Sequence, residues 1–423
     1  MHVIVIGAGV QGITTAYYLN QYGCEVTVID SAASAAMECS FANGGGVTPS
    51  AVDPWNAPGI GKVMFKYLGR KDSPLLFRLK ALPELTGWGL KFLKYANSKD
   101  FLYANKQTGK LANYSVQLFD EIRQDADINY HYSGQGTLKI FRDQQSLDEH
   151  LQLSEVLRDM GNADFQTLSQ HQTVEIEPSL SAIKDKLSGA LLFPGDEAGN
   201  SHIFCQQLSK VLARRGVEFC YNSLVTSIEK HQNLFELTIS TQGKPLTIKA
   251  DKVVVAAGAK TSPILAPMGI NVPVKPAKGY SLSIDMIGWQ NRPQHLIADM
   301  NLHAGINPLG DVLRVAGTAE FAGFDKSISD ERINNLVGLV ESVFPEFIAT
   351  IDKTNLNPWT GLRPMSCDGM AILGQTKVDG LYINTGQGAQ GWTTSPASGR
   401  LVADVICNRT PQLDIKPYSI ARF

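Results

Sequence analysis

Apolar and polar positions change period along the chain, and those changes predict its elements. The opening run His2 to Ile6 is short, apolar and largely β-branched, as a strand buried on both faces of a parallel sheet would be. A glycine turn follows, then apolar positions at helical spacing through Ala16 and Leu19, a stop at Gly23, and a second strand, "EVTVID", that ends on Asp30. Further on, Ile203, Phe204, Leu208, Val211 and Leu212 predict a helix that starts at Asn200 or Ser201 and stops at Gly216. Two or three alternating strands come next, then the continuous run Val253 to Ala257 ending at Gly258. Near the end, Leu401, Val402, Val405 and Ile406 mark a helix behind the glycine-rich loop Thr385 to Gly391. Strand, helix and strand in alternation predict an α/β fold with a Rossmann-like domain.

Composition narrows the picture. A chain of 423 residues is long enough for two domains. The formal net charge of −2 argues against a general nucleic-acid binder, which needs a basic excess to neutralise phosphates. The six cysteines lie far apart with no Cys-x-x-Cys pair, so they read as reduced thiols in a cytoplasmic setting and no metal site is predicted. "MHVIVIGAGV" lacks the parts of a secretory signal, and no apolar run approaches the ~20 residues that span a bilayer.

The first chemistry is in "HVIVIGAGVQGITTAYYLNQYGCEVTVID". Gly7 allows the tight turn, Gly9 lets the backbone approach a pyrophosphate, and Gly12 lets the helix pack on the sheet. The helix N-terminus, at Val10 and Gln11, offers free N–H groups to the phosphates. Asp30, with Ser31 beside it, is placed for a ribose diol. The motif alone does not separate FAD from NAD. The helix, meander and "VVVAAGA" strand that bring the chain back to the first sheet favour FAD.

The opening fingerprint, "SFANGGGVTPSAVDPWNAPG", "GTLKIFR", "PAKGYSL", "TGLRPMSCDG" and "NTGQGAQGWT" together resemble the FAD-dependent D-amino-acid dehydrogenases of small-subunit type, within the D-amino-acid oxidase and glycine oxidase superfamily. The likeness runs to "YSIARF" at the end. It implies a FAD domain from residues 1–50, 191–274 and 359–423, and a discontinuous antiparallel-sheet substrate domain from 51–190 and 275–358. It implies that Arg363, in the Gly-Leu-Arg-Pro motif, holds a substrate carboxylate. A guanidinium is always charged and its planar fork matches a carboxylate, although from the residues alone a structural acid such as Asp368 is an equal candidate partner. Tyr280 is the expected second carboxylate anchor, and His303 is expected near the substrate side chain. Ser40, Asn43 and Gly44, then Val225, Ala257 and Gly258, and finally Arg363, Gly386, Gly388, Gly391, Trp392 and Thr393 are expected around a non-covalent FAD. Helix N–H groups behind the last loop could face the flavin ring where charge gathers on reduction.

The resemblance further implies oxidative deamination of a D-amino acid to a 2-oxo acid and ammonia, with electrons passed to a quinone-type acceptor. Glycine, sarcosine, proline or hydroxyproline are the alternative substrates, and a non-catalytic or NAD-using protein is the distant alternative. One stretch bears on the acceptor. Between Trp55 and Lys99, basic Lys62, Lys66, Arg70, Lys71, Arg78, Lys80, Lys91, Lys94 and Lys99 are opposed only by Asp72 and Glu84 and alternate with large apolar residues. Two readings stay open: solvated helix faces on a cytoplasmic protein, or a peripheral surface for anionic headgroups on the inner face of the cell membrane.

Overall fold

The computed structural model describes residues 1–67, 75–302, 304–352 and 355–423. A six-stranded sheet carries, in spatial order, the strands Ile372–Gln375, Leu381–Thr385, Lys252–Val255, His2–Ile6, Glu25–Ile29 and Glu218–Cys220. Its pairs are parallel except at the Ile372–Gln375 edge. Helices Val10–Gln21, Ser201–Arg214 and Ser395–Ile406 pack on one face, and the three-stranded meander Ser223–His231, Leu234–Thr241, Lys244–Ala250 packs on the other. Both faces being covered explains why Val3 to Ile6 and Val253 to Val255 are apolar without alternation.

A nine-stranded, mostly antiparallel sheet forms the second layer. At its centre the strand Val274–Asp285 lies between Asn357–Ser366 and Val312–Phe321, with Ala304–Leu309 beyond the latter. Tyr280, Leu282, Ile284, Leu313 and Val315 point to one face, where helix Asp330–Val343 covers them. The alternate positions Gly279, Ser281, Arg314, Ala316 and Arg363 point to the other face, toward the first domain. The α/β architecture with a Rossmann-like sheet and a separate substrate-side sheet matches the expectation.

Sheet membership departs from the expected boundaries at two places. The strand Asn357–Ser366 belongs whole to the nine-stranded sheet, as does Gly189–Phe193, whereas the expected FAD-domain segments began at 359 and 191. The helix Ser98–Ala126, expected within the substrate domain, instead buries Leu111, Leu118, Phe119 and Ile122 in the core of the first domain, where Phe119 meets Trp392 at 4.6 Å between ring centroids. Its apolar stripe has a helical period, and period alone does not say which of two cores it will cover.

No described helix is long and apolar enough to cross a membrane. His303 and the basic residues Arg70 and Lys71, singled out above, lie outside the described residues.

Candidate active site

A cavity of about 1320 Å³, mouth included, runs from the first glycine turn to Arg363. Its floor is the turn between the strand His2–Ile6 and the helix Val10–Gln21. Gly7 has φ +109°, and a Cβ there would sit 2.5 Å from the Ala256 carbonyl oxygen; a Cβ on Gly12 would sit 1.7 Å from the Gly7 oxygen. Only glycine permits that closeness of helix and sheet. Gly9, Val10 and Gln11 then line the cavity at the helix N-terminus, where N–H groups lack intrahelical partners. The Val10 N–H donates to Ser40 Oγ at 3.2 Å. Asp30 lines the same wall, its carboxylate oxygens accepting from the Ala8 N–H at 2.7 Å and the Ala32 N–H at 2.8 Å. Each oxygen keeps a lone pair for a further hydroxyl.

Most expected cofactor residues come together here. Gly7, Gly9, Val10, Gln11, Asp30, Ser31, Ser40, Asn43, Val225, Ala257, Gly258, Arg363, Gly388, Gly391 and Trp392 all line the cavity. Gly12, Gly44, Gly386 and Thr393 stand behind the wall: Gly12 at the helix–sheet contact, Gly386 against Ile372, and Thr393 Oγ1 accepting from the Thr48 N–H at 3.1 Å. The Gly44 carbonyl accepts from Asn307 Nδ2 at 2.9 Å. Cys39, Glu38, Lys260, Leu362 and Gln387 also line the cavity and had not been singled out; Leu362 is on the strand Asn357–Ser366 beside Arg363, and the approach of all five to the cavity is visible only in the fold.

The test of fit for a flavin dinucleotide rests on atoms left over. Among cavity-lining side chains, Gln11 Oε1, Gln387 Oε1 and Trp392 Nε1 are buried without a hydrogen-bond partner, which is costly unless a ligand supplies one. Together with the helix N-terminus and Asp30 they fit FAD.

Arg363 closes the far end. It lies flat across Gly279 on the neighbouring strand, where an added Cβ would come within 2.2 Å of its Nη1. Nη1 donates to the Thr318 carbonyl at 3.4 Å, and the guanidinium lies 5.8 Å from the Trp55 ring centroid. Thr318 is the extra residue of a β-bulge and has φ +55°, an uncommon backbone state for a β-branched residue that collects at functional sites. Burial pushes the Arg363 guanidinium below its usual value; the nearby Cys39 thiol acts the other way. Among the described residues no carboxylate pairs with it. Asp368, the alternative partner, is bound by Arg422, with Nε at 2.6 Å from Oδ2 and Nη2 at 3.0 Å from Oδ1.

Tyr280 is not beside Arg363. It neighbours Gly279, whose face looks at Arg363, so strand alternation sends the tyrosine to the opposite face. There it is 1% exposed and its hydroxyl donates to Glu320 Oε2 at 2.7 Å. Glu320 also receives Arg78 Nε at 2.5 Å, with Lys278 Nζ 3.6 Å away. Burial raises the Tyr280 hydroxyl, and the bond to Glu320 adds to it. Burial alone would raise Glu320 as well, but Arg78 and Tyr280 outweigh it and hold the carboxyl below its usual value. The tyrosine expected as an anchor thus belongs to an ion-pair cluster around buried Glu320 on the other face of the sheet, because a one-residue step along a strand changes face.

Comparison with known proteins gives the family and the fold. The family model of FAD dependent oxidoreductases matches residues 2–405, and the chain belongs to that family. Relatives include the D-amino acid dehydrogenase of Xanthobacter autotrophicus, 38% identical over 423 residues, covering 100% of this chain and 99% of the relative. Another is the D-amino acid dehydrogenase of Vibrio atlanticus, 34% identical with 100% of both chains covered. Among solved structures, glycine oxidase from Geobacillus kaustophilus superposes with a TM-score of 0.77 at 22% identity, over 100% of this chain and 98% of the other. L-proline dehydrogenase from P. horikoshii gives 0.75 at 18%, over 100% and 97%. The protein is an FAD-dependent enzyme.

Proposed function

We propose that the protein oxidatively deaminates D-amino acids to 2-oxo acids and ammonia, with Arg363 as the anchor of the substrate carboxylate. The observation that carries this reading is a buried cation on the cavity wall with no acidic partner among the described residues. A substrate carboxylate completes it, and two parallel N–H···O bonds fix the direction of the Cα–H bond. Bound FAD supplies the two-electron acceptor for the C–H bond. The amine is neutral when the Cα–H bond breaks, the product is an imino acid, and water hydrolyses that to the 2-oxo acid and ammonia. The D configuration follows the full-length relatives that carry that name at 34% and 38% identity.

A quinone-type acceptor at a membrane surface is the reading we favour for the electrons. It is supported by Leu90, Leu93, Leu102 and Tyr103, between 38% and 67% exposed on the consecutive helices Leu82–Lys94 and Ser98–Ala126, among exposed Lys80, Lys91, Lys94, Lys99 and Lys106. Leucines beside lysines suit an anionic lipid interface.

The test is anaerobic: D-alanine, L-alanine, glycine and D-proline are added separately to the yellow protein while the flavin band is followed. Bleaching by D-alanine and not by L-alanine is expected. A band that only glycine or D-proline bleaches would overturn the proposed substrate class.

A further inference from the structure

Arg314 lies on the cavity-facing side of the strand Val312–Phe321 and is 7% exposed. Its Nε donates to Ser283 Oγ at 2.9 Å and its Nη1 to the Asn43 carbonyl at 2.8 Å. Both partners are neutral, and among the described residues no carboxylate pairs with it. Burial alone pushes its guanidinium down to about 10. Buried charges are ordinarily matched by an opposite one, so this charge stands uncompensated in a low-dielectric setting. The field of Arg314 is felt nearby: it adds to burial in lowering His202.

The position matters because Asn43 lines the cofactor cavity, leaving Arg314 one peptide group behind its wall. The loop there is held at three successive carbonyls by groups outside the cavity: Asn43 by Arg314, Gly44 by Asn307 Nδ2 at 2.9 Å, and Gly45 by the Gly199 N–H at 2.8 Å. The Gly45 N–H is in turn taken up by Asn43 Oδ1 at 2.9 Å. A loop pinned in this way carries the field of the guanidinium to whatever it touches, without reorganising when charge changes.

We propose that Arg314 is an electrostatic positioning residue for the flavin: its buried, uncompensated charge behind the Asn43–Gly45 loop raises the two-electron reduction potential of bound FAD. A fixed positive charge favours the electron-rich form of its neighbour. The inference rests on FAD binding and not on the identity of the substrate, so it stands or falls separately from the choice of amino acid.

The experiment measures the midpoint potential of bound FAD in the intact holoprotein against reference dyes, for the wild type and three variants. Arg314→Gln removes the charge and keeps a donor for the Asn43 carbonyl. Arg314→Lys keeps the charge. Ser283→Asp leaves Arg314 on the loop and sets a carboxylate against its Nε. Arg314→Gln and Ser283→Asp are each expected to shift the oxidised–reduced equilibrium at least tenfold toward oxidised flavin, about 30 mV for two electrons. Arg314→Lys is expected to stay within about twofold of wild type. A wild-type potential in Ser283→Asp overturns the proposal even if Arg314→Gln is shifted, because a lost tether and not a lost charge would then be at work. Should Arg314→Gln fail to retain FAD, Ser283→Asp decides the matter alone.

Discussion

At one end of the cavity the chain presents backbone, and at the other it presents a side chain. The cradle of Gly7, Gly9 and the first turn of the helix Val10–Gln21 binds through N–H groups whose positions follow from how closely helix and sheet approach. The end we propose for substrate presents Arg363, laid across Gly279 on a sheet that belongs to the other domain. The first is a property of local chain geometry, so its failures should be failures of folding or of cofactor binding. The second is a property of one charged group, and its failures should be confined to substrate.

The sharpest way to break the comparison is at the cradle. Gly12→Ala places a methyl 1.7 Å from the Gly7 carbonyl oxygen and 2.9 Å from its carbon, a backbone contact that cannot swing away as a side chain could. It should cost more than about 4 kcal/mol and give colourless or insoluble protein. A yellow, stable variant would show that helix and sheet can separate here. Next in size is Arg363→Leu. Loss of a buried charge-assisted pair to substrate is worth ~2–5 kcal/mol, so kcat/KM should fall roughly 30- to 5,000-fold while the flavin spectrum and FAD content stay as in wild type. Loss of FAD from this variant would blur the division between the two ends.

The seam between them has a pH dependence of its own. Glu197 sits on the short strand that pairs with Gly46–Val47, just after the loop that lines the cavity. Burial, reinforced by Asp120, raises its carboxyl from 4.5 to about 7, and its Oε2 has no partner. The folded value lies above the unfolded one, so the native state holds the proton. Its stabilisation is complete below the unfolded value near 4.5 and is lost as pH rises through about 7. Glu197→Gln should therefore match wild type at low pH and exceed it by about 3 kcal/mol above neutrality, since each tenfold change in proton affinity is worth ~1.4 kcal/mol. Equal thermal stability at pH 8 would contradict this. The smallest effect is expected at Tyr280→Phe, which takes one donor from buried Glu320: a loss of about 1–2 kcal/mol in stability with KM for the amino acid unchanged. A large rise in KM would restore the tyrosine to the substrate end.

How much of this was legible in the sequence follows the same division. Gly7, Gly9, Gly12 and Asp30 announced the cradle by their spacing, and at two of them the geometry leaves room for glycine alone: Gly7 has φ +109° and Gly12 packs against the Gly7 carbonyl. Arg363 was legible through its motif, and its rivalry with Asp368 was settled only by Arg422, a residue 54 positions beyond that acid. Tyr280 was misread because its face depends on strand alternation beside a bulge at Thr318, and neither is written in the five letters around it. Arg314 carried no signal at all: the role we propose for it comes from its having only neutral partners among the described residues, which only the packed structure displays. The helix Ser98–Ala126 shows the limit for the fold, since its apolar stripe specifies a buried face and not the core that buries it.

The most direct test pairs substrate and protein. Rapid anaerobic reduction of the flavin by D-alanine and by D-alaninamide, which lacks the carboxylate charge, is measured in wild type and in Arg363→Leu. If Arg363 holds the carboxylate, the amide should be at least about 100-fold poorer than the acid in wild type, and the two should be nearly equal in the variant. The same preference for the acid in both proteins would place the carboxylate on another group and contradict the assignment.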